Sequence, residues 1–307
     1  MTFVIFVNER LISRVRKHTF FILLLSFLVY YKKIFVGLNF FCLEIIFSFF
    51  QEITILDFVF VLFFSLIAGF MDAIVGGGGL IQLPALMISL PQTSLPTLFG
   101  TNKIAAISGT SLAAYQYAKK ITFHYKLLWI IGFSALIASW YGATVVSKIN
   151  PEVLKPLVLV LLIAMAVYTF IKKQMGNLSN QSFIQTKTFV IGILLGIVIG
   201  FYDGFFGPGT GSFLVFGMVL FLRFDFLHAS AYAKIINILT NIGALSFFIY
   251  HENYLLIMAI GMAICNIVGN YIGTKMAFKK GNEFIRKIFL AILCLMIFRY
   301  GWEVFTS

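Results

Sequence analysis

The chain has 307 residues, of which 61% are hydrophobic and 11% are charged, and its net charge is +12. Soluble domains are about 45–50% apolar and about 25% charged, so this composition excludes an ordinary soluble protein. The Lys and Arg residues lie in short clusters between apolar runs. This distribution is typical of membrane topology and not of a nucleic-acid surface. We therefore expect a membrane protein whose partner is the lipid bilayer, with no nucleic-acid partner.

Residues 1–53 form an apolar extension with a basic start. Four basic residues, from Arg10 to Lys17, precede an apolar run at 20–31. The pattern resembles a signal peptide, but a clear small-residue cleavage site is missing, so we expect an extra anchor helix. A translation start placed too far upstream is the third interpretation. Whether this extension belongs to the mature protein stays open.

The rest of the chain consists of apolar stretches, many of them about 18 residues or longer, which is enough to cross a bilayer core as a helix. The stretches lack the alternation of a membrane β-barrel. We predict an all-α, polytopic membrane protein. Helical segments are expected at 55–75, 79–90, 97–118, 126–148 and 152–172, and again at 186–206, 210–222, 228–249, 253–277 and 283–301.

The second half of the sequence matches the first without a gap when Asp203 is aligned with Asp72. The same alignment pairs Lys103 with Lys234 and Glu152 with Glu283. Such matches are hard to attribute to chance in a chain with so few charges. We interpret residues 54–175 and 183–303 as two copies of one transmembrane module.

Loop charges orient the two modules. Lys119 and Lys120 lie between the third and fourth segments of the first module, whereas the equivalent loop of the second contains His251 and Glu252 and no Lys or Arg. Positively charged loops face the cytoplasm, so equivalent loops should fall on opposite sides. Lys148 weakens the contrast, but the modules are expected to be inverted, a common plan for secondary transporters.

Glycine-rich segments interrupt both modules, as Gly-Gly-Gly-Gly at 76–79 and Gly-Pro-Gly-Thr-Gly at 207–211. Each Gly costs about 1 kcal/mol relative to Ala in a helix, and Pro removes a donor, so the helices should break here. Open backbone at membrane depth is buried in protein or lines a cavity, and its free N–H groups suit an anion. Close packing of helices is the alternative interpretation of the same glycines.

Lys103 and Lys234 each lie inside a long apolar segment, and Lys103 follows Asp72 at the same sequence distance at which Lys234 follows Asp203. A lysine that faced lipid at this depth would cost several kcal/mol. We expect at least one lysine to bind an anion. A structural ion pair with the Asp residues and snorkelling to the interface are the alternatives. Asp72 and Asp203 are candidates for coupling a proton or another ion.

Amides and hydroxyls accompany both lysines. Asn237 and Asn241 share one helical face with Lys234, an arrangement that offers several donors to an oxyanion. Hydrogen bonding between helices explains the same residues equally well. The predicted substrate-binding residues are Lys103, Lys234, Asn102, Thr101, Asn237, Asn241, Gly76, Gly77, Gly78, Gly79, Gly207, Gly209, Thr210 and Gly211.

The other chemistry-bearing residues form no pattern for a cofactor, a metal or catalysis. The His residues lack metal-ligand spacing, and Cys42, Cys265 and Cys294 are isolated in apolar segments, where we expect core positions. There is no Walker loop, no Ser/His/Asp arrangement and no carboxylate pair. We therefore expect a protein that is not an enzyme, binds no cofactor or metal, and does not drive transport with ATP.

Four sequence motifs resemble the TauE/SafE family of sulfite exporters, especially its YfcA-like branch. They are GFMDAIVGGGGLIQLPAL at 69–86, GTNKIAAISGT at 100–110, GFYDGFFGPGTGSF at 200–213 and AKIINILTNIGAL at 233–245. The resemblance covers roughly residues 54–303. It implies a multi-pass permease of the bacterial inner membrane that moves sulfite or a related sulfur-containing or organic anion, driven by an ion gradient.

Alternating access between the two modules is the mechanism we expect. Members of the family differ in substrate, so the compound, the transport direction, the coupling ion and the oligomeric state stay open. A membrane assembly or scaffold protein that transports nothing is the alternative function.

Overall fold

The apolar segments form α-helices. A computed structural model describes residues 53–119, 121–149, 186–224 and 226–280, together with nine isolated positions between 159 and 302. These ranges contain no strand, and the all-α prediction is confirmed. The helices are α1 (Ile55–Val75), α2 (Gly79–Ser89), α3 (Leu95–Ala118), α4 (Tyr125–Val146), α5 (Thr186–Phe205), α6 (Thr210–Phe221), α7 (Phe226–Tyr250) and α8 (Leu256–Lys280).

The ends of these helices differ from the predicted ends by at most three residues. Helix α3 begins two residues earlier than predicted because the Ser94 side chain accepts a hydrogen bond from the N–H of Thr97. Pro96 fits into this first turn, where its missing N–H would have no partner in any case. The predicted anchor helix near the start of the chain lies outside the described residues, and so do the predicted segments at 152–172 and 283–301 apart from isolated positions.

Within the described residues, five helical segments are long and apolar enough to cross a membrane, and the chain is a multi-pass membrane protein. They are Ile55–Ile74, Tyr125–Val146, Thr186–Phe205, His228–Tyr250 and Leu256–Met276. Helices α2 and α6 are apolar but contain only 11 and 12 residues. Helix α3 has 24 residues, but its Thr, Asn, Ser and Lys side chains keep it out of this group.

Helices α3 and α7 form the centre of the bundle. The span within α7 is 61% buried, whereas the other four candidate spans are 28–39% buried. Helix α3 buries its polar residues Thr101, Asn102 and Lys103. The outer helices expose large apolar side chains, as lipid contact requires.

The described cysteines are more exposed than the predicted core positions. Cys265 is half-buried and Cys294 is exposed, and both are free thiols. The core prediction is therefore wrong for Cys294, because an apolar residue of a membrane helix can face lipid as readily as the protein interior. Cys42 lies outside the described residues.

Glycines bring the outer helices into backbone contact. Four glycines at every fourth residue of α5, from Gly192 to Gly204, lie so close to α4 that a Cβ on any of them would come within 3 Å of it. Gly269 and Gly273 of α8 approach the main chain of α1 in the same way. Small residues at this spacing allow close helix packing in membranes.

The two central helices run antiparallel. Phe99 at the start of α3 packs on Phe248 at the end of α7, with ring centroids 6.5 Å apart. At the opposite ends, the hydroxyl of Tyr232 in α7 accepts a hydrogen bond from the N–H of His124, just after α3, at 2.6 Å. Inverted modules require equivalent helices such as α3 and α7 to be antiparallel. The duplication and its inversion stay predictions.

Candidate functional site

Each glycine-rich segment ends one helix and begins the next. Gly76 follows α1 with φ of +78° and donates its N–H to the carbonyl of Asp72 at 2.9 Å. Gly207 follows α5 with φ of +93° and donates to the carbonyl of Tyr202 at 3.2 Å. A left-handed glycine directly after the last turn is a common helix end. Both predicted helix breaks are therefore present.

The two breaks touch each other through their main chains. A Cβ on Gly76 would lie 2.6 Å from the main chain of Gly211, and a Cβ on Gly211 would lie equally close to that of Gly76. Gly79 approaches Pro208 in the same region. The predicted close packing and the predicted open backbone thus occur together, since the open segments of the two modules pack on one another.

The start of α2 presents free donors at this contact. In the described part of the chain, the N–H groups of Gly77, Gly78 and Gly79 make no main-chain hydrogen bond. Such orphan N–H groups are a general property of helix starts, and they carry the positive end of the helix dipole.

The buried lysines pair with aspartates of the opposite module. The ammonium of Lys103 lies 2.8 Å from a carboxylate oxygen of Asp203 and donates a hydrogen bond to the Asp203 carbonyl at 2.7 Å. Lys234 lies 3.2 Å from the Asp72 carboxylate and also donates to the Asp72 carbonyl. The ion pairs therefore join Lys103 to α5 and Lys234 to α1. A pairing of these Lys and Asp residues within each module does not occur.

Asp72 has a second partner on α3. Its carboxylate oxygen Oδ2 accepts a hydrogen bond from the hydroxyl of Thr110 at 2.9 Å in addition to the contact with Lys234. The alignment of the two modules matches Thr110 with Asn241, which bonds within its own helix instead. The two ion pairs are thus alike in their charges and different in their surroundings.

The four charges cancel. Lys103, Lys234, Asp72 and Asp203 are each at most 8% exposed, and each cation contacts one carboxylate. Buried charges persist when they are paired, and each of these charges has an opposite charge within 3.2 Å. The centre of the bundle is therefore polar with a net charge of zero from these residues.

A cavity of about 30 Å³ lies where the breaks and the ion pairs meet. This volume holds about two water molecules, which is less than an oxyanion of four non-hydrogen atoms needs. The cavity-lining residues are Asp72, Gly76, Gly78, Gly79, Gln82, Asn102, Lys103, Ala106, Asp203, Gly207, Gly209, Thr210, Gly211, Asn237, Asn241 and Asn266.

Three of the predicted binding residues lie elsewhere. Lys234 contacts Asp72 but is not part of the cavity lining. The hydroxyl of Thr101 donates to the carbonyl of Thr97 and accepts from the N–H of Leu255, so it joins α3 to the start of α8 away from the cavity. Gly77 is likewise outside the lining. All the other predicted residues surround the cavity.

Two polar lining residues were missed by the sequence analysis. Gln82 is buried in the apolar helix α2, and Asn266 is buried on α8. The signal for Asn266 was present, because Asn266 and Asn270 have the same four-residue spacing as Asn237 and Asn241. Gln82 is a polar residue within an otherwise apolar segment, and that contrast was a signal for a buried polar contact.

The remaining lining amides come from the central helices. The side-chain N–H₂ of Asn241 donates to the carbonyl of Asn237 at 2.6 Å and to its side-chain oxygen at 3.2 Å. Asn102 is 6% exposed, and its side-chain oxygen has no hydrogen-bond partner in the structure. An unpaired buried amide at a cavity wall is costly unless a ligand or water completes it. Within the described ranges, no three His, Cys, Asp or Glu side chains gather to hold a metal ion.

Comparison with known proteins places the chain among membrane transporters. A family model described as "Sulfite exporter TauE/SafE" matches residues 61–300. The chain is 35% identical over 246 residues to a probable membrane transporter protein, ORF9, of Sinorhizobium sp, a match that covers 80% of this chain and 92% of the relative.

Two further relatives have the same description. A probable membrane transporter protein of Haemophilus influenzae is 31% identical and matches 77% of this chain and 92% of its own length. The probable membrane transporter protein YfcA of Escherichia coli is 30% identical, over 77% of this chain and 87% of its own. No solved structure shows a significant match.

Proposed function

Since the chain belongs to the TauE/SafE family of sulfite exporters, we propose that it is a secondary permease for a small anion. The substrate is sulfite or a related sulfur-containing or organic anion, carried across the bacterial inner membrane. The observation that carries this proposal is the cavity between two contacting helix breaks, lined by amides, glycines and one lysine. A binding site at interrupted helices near the middle of the bilayer is the usual plan of secondary transporters.

Anion binding relies on donors that are already in place. Lys103 lines the cavity, and an ammonium has three N–H donors, of which the Asp203 carbonyl takes one and the Asp203 carboxylate faces a second. Gly78 and Gly79 line it as well and have free N–H groups at the start of α2. Together these groups can hold oxyanion atoms without water, as anion sites at helix starts do.

Charge balance makes proton coupling a natural part of this function. An anion that enters a site of net charge zero leaves one uncompensated negative charge in a medium of low dielectric constant. Protonation of Asp203 would cancel that charge and release Lys103 from its carboxylate partner. We assign Asp203 as the coupling residue, with Asp72 held by Lys234 and Thr110.

In this conformation the cavity is too small for the substrate. Its volume of about 30 Å³ must increase before an oxyanion enters. Opening toward either side separates elements that the two ion pairs join across the modules, so the pairs are the contacts that change during alternating access. The glycine-rich breaks supply the flexible backbone for that motion.

The function is tested by anion uptake into proteoliposomes that contain the purified full chain. Sulfite, thiosulfate, methanesulfonate and acetate are the probes, and at least one should be taken up in a saturable manner. Lys103→Ala should lower uptake at least tenfold, whereas Lys119→Ala, which changes an exposed lysine at the end of α3, should leave it unchanged. Absence of saturable uptake of all four probes by the unaltered chain overturns the proposal.

Coupling is tested separately with a pH gradient across the same vesicles. The gradient should drive accumulation of the transported probe by the unaltered chain. Asp203→Asn cannot take up a proton, so accumulation should no longer respond to the gradient even where downhill exchange persists. A response equal to that of the unaltered chain would remove Asp203 from the coupling step.

A further inference from the structure

The amide residues that line the cavity differ between the two modules, although the charged residues and several glycines are the same in both. The alignment of the two modules matches Gln82 with Phe213, Asn266 with Ala135 and Asn237 with Ala106. It matches Asn102 and Asn241 with Ala233 and Thr110. The Asp and Lys residues, by contrast, recur in both modules. The charged residues are therefore common to both modules, whereas each lining amide occurs in only one of the two modules.

Gln82 and Asn266 belong to a hydrogen-bonded chain of side chains between α1, α2 and α8. The Gln82 amide donates to the Ser65 hydroxyl at 2.9 Å, and the Asn266 amide donates to the Gln82 oxygen at 3.2 Å. The Asn266 oxygen in turn accepts from Asn270 at 2.9 Å. Each of the two lining amides therefore has its oxygen occupied by the next residue of the chain.

This series of hydrogen-bonded side chains determines which polar atoms are left for a ligand. An amide N–H₂ group has two donors, and Gln82 and Asn266 each use one in the contacts above. Both residues are at most 2% exposed and both line the cavity. The groups that remain for a molecule in the cavity include one N–H donor from each residue, while each amide oxygen already accepts one hydrogen bond.

The matched positions of the other half have no such donors in their side chains. Phe213 and Ala135 stand in place of Gln82 and Asn266, and Gly196 stands in place of Ser65. Phe213 packs on the ring of Tyr202, with ring centroids 5.2 Å apart. The α2 and α8 side of the cavity therefore has amide donors at positions whose matched residues in the other half have none.

We propose that Gln82 and Asn266 are specificity-determining residues that recognise an oxyanion by donating one hydrogen bond each to two of its oxygens. The inference rests on the proposed function and names the substrate class of the same site. Two neighbouring donors fit the separate oxygens of a sulfite, sulfonate or carboxylate group, whereas a halide offers a single spherical acceptor. The permease selects oxyanions over chloride for this reason.

The test measures half-saturation and selectivity in proteoliposomes with sulfite, methanesulfonate and acetate as probes and chloride as a competitor. Gln82→Met and Asn266→Leu are two separate variants. Each roughly keeps the volume of its side chain and removes the donor of that residue. A hydrogen bond to a charged group is worth enough that each change should raise the half-saturation concentration for the oxyanions about tenfold or more. Competition by chloride should be unchanged, so the preference for oxyanions should fall by the same factor.

Thr274→Val is the matched control. Thr274 lies on the same face of α8, donates to the Asn270 carbonyl at 2.8 Å and does not line the cavity. Its loss should lower thermal stability slightly and leave half-saturation and chloride competition unchanged. Gln82→Asn provides a second measurement if the apolar variants do not fold, because it keeps the amide and withdraws it by one methylene. This variant should shift the preference toward the larger methanesulfonate.

The outcomes separate the two proposals. Saturable oxyanion uptake with unchanged half-saturation and unchanged selectivity in all folded Gln82 and Asn266 variants overturns the assignment and leaves the permease function intact. Failure of the unaltered chain to transport any probe overturns both. A loss of selectivity equal in size for Thr274→Val would also overturn the assignment, because that variant removes no cavity donor.

Discussion

Replacing Asp203 with Asn should leave the Lys103 ammonium buried with no counter-charge. The ammonium lies 2.8 Å from the carboxylate that the substitution neutralises, and both side chains are at most 3% exposed. Two unit charges at this distance attract by about 6 kcal/mol at an effective dielectric constant of about 20. Breaking one side of a buried pair typically costs about 3–5 kcal/mol. We expect a loss of about 3 kcal/mol in the free energy of unfolding, since the Asp203 carbonyl still accepts from Lys103.

Neutralising both partners should restore most of this loss. The double variant Asp203→Asn with Lys103→Gln has no unpaired charge, and buried pairs replaced as a whole are often close to neutral in stability. The informative control combines Asp72→Asn with Lys103→Gln, two substitutions that lie in the same module. It leaves Asp203 and Lys234 unpaired, so its two costs should add to about 6 kcal/mol.

Equilibrium unfolding of the purified chain in detergent measures these free energies in a double-mutant cycle. Thermal unfolding gives a second readout, in which about 3 kcal/mol corresponds to a fall of about 5 °C in the midpoint for a chain of 307 residues. Recovery of stability by the variant pair within one module, and not by the pair across modules, would refute the exchanged ion pairs and the reasoning built on them.

Two further predictions concern the groups that hold the breaks in place. Gly76→Ala puts an L side chain at φ of +78° and against the Gly211 main chain. It should therefore cost roughly 1–2 kcal/mol in backbone strain alone and abolish uptake. Normal thermal stability and normal uptake of this variant would contradict the contact between the breaks. Thr110→Val keeps the volume but removes the donor that bonds Asp72 at 2.9 Å, and thermal unfolding should show a loss of about 1.5–3 kcal/mol. An unchanged midpoint would show that Thr110 contributes nothing to holding the Asp72 carboxylate.

The exchanged ion pairs show where reasoning from sequence ends. The match between the two halves of the sequence identified Asp72, Lys103, Asp203 and Lys234 as the four buried charges of the site. Pairing them within a module is the simpler interpretation of two equal spacings. The actual partners depend on how α3 and α7 cross at the centre, because antiparallel packing brings the lysine of each module to the end of the opposite module's first helix.

The lining amides illustrate the same limit in another way. Asn237 and Asn241 were found because they share a helical face with a lysine, and Asn102 because it precedes one. Gln82 and Asn266 come from helices in which none of the described lysine side chains is buried, and they reach the cavity because α2 and α8 pack beside α1. Thr101, which directly precedes the lining residues Asn102 and Lys103 in the sequence, bonds to Leu255 instead.

Sequence alone was enough to establish the helical class, the membrane environment, the two glycine-rich breaks and the identity of the charged residues. These features follow from composition, from the length of apolar segments and from the backbone preferences of Gly and Pro, which act locally along the chain. The packing of the helices was needed to establish which aspartate neutralises each lysine, which lysine faces the cavity, and which amides join it there. Those choices depend on the contacts of helices far apart in the sequence, and a local pattern carries no information about which of two equivalent partners the packing brings into contact.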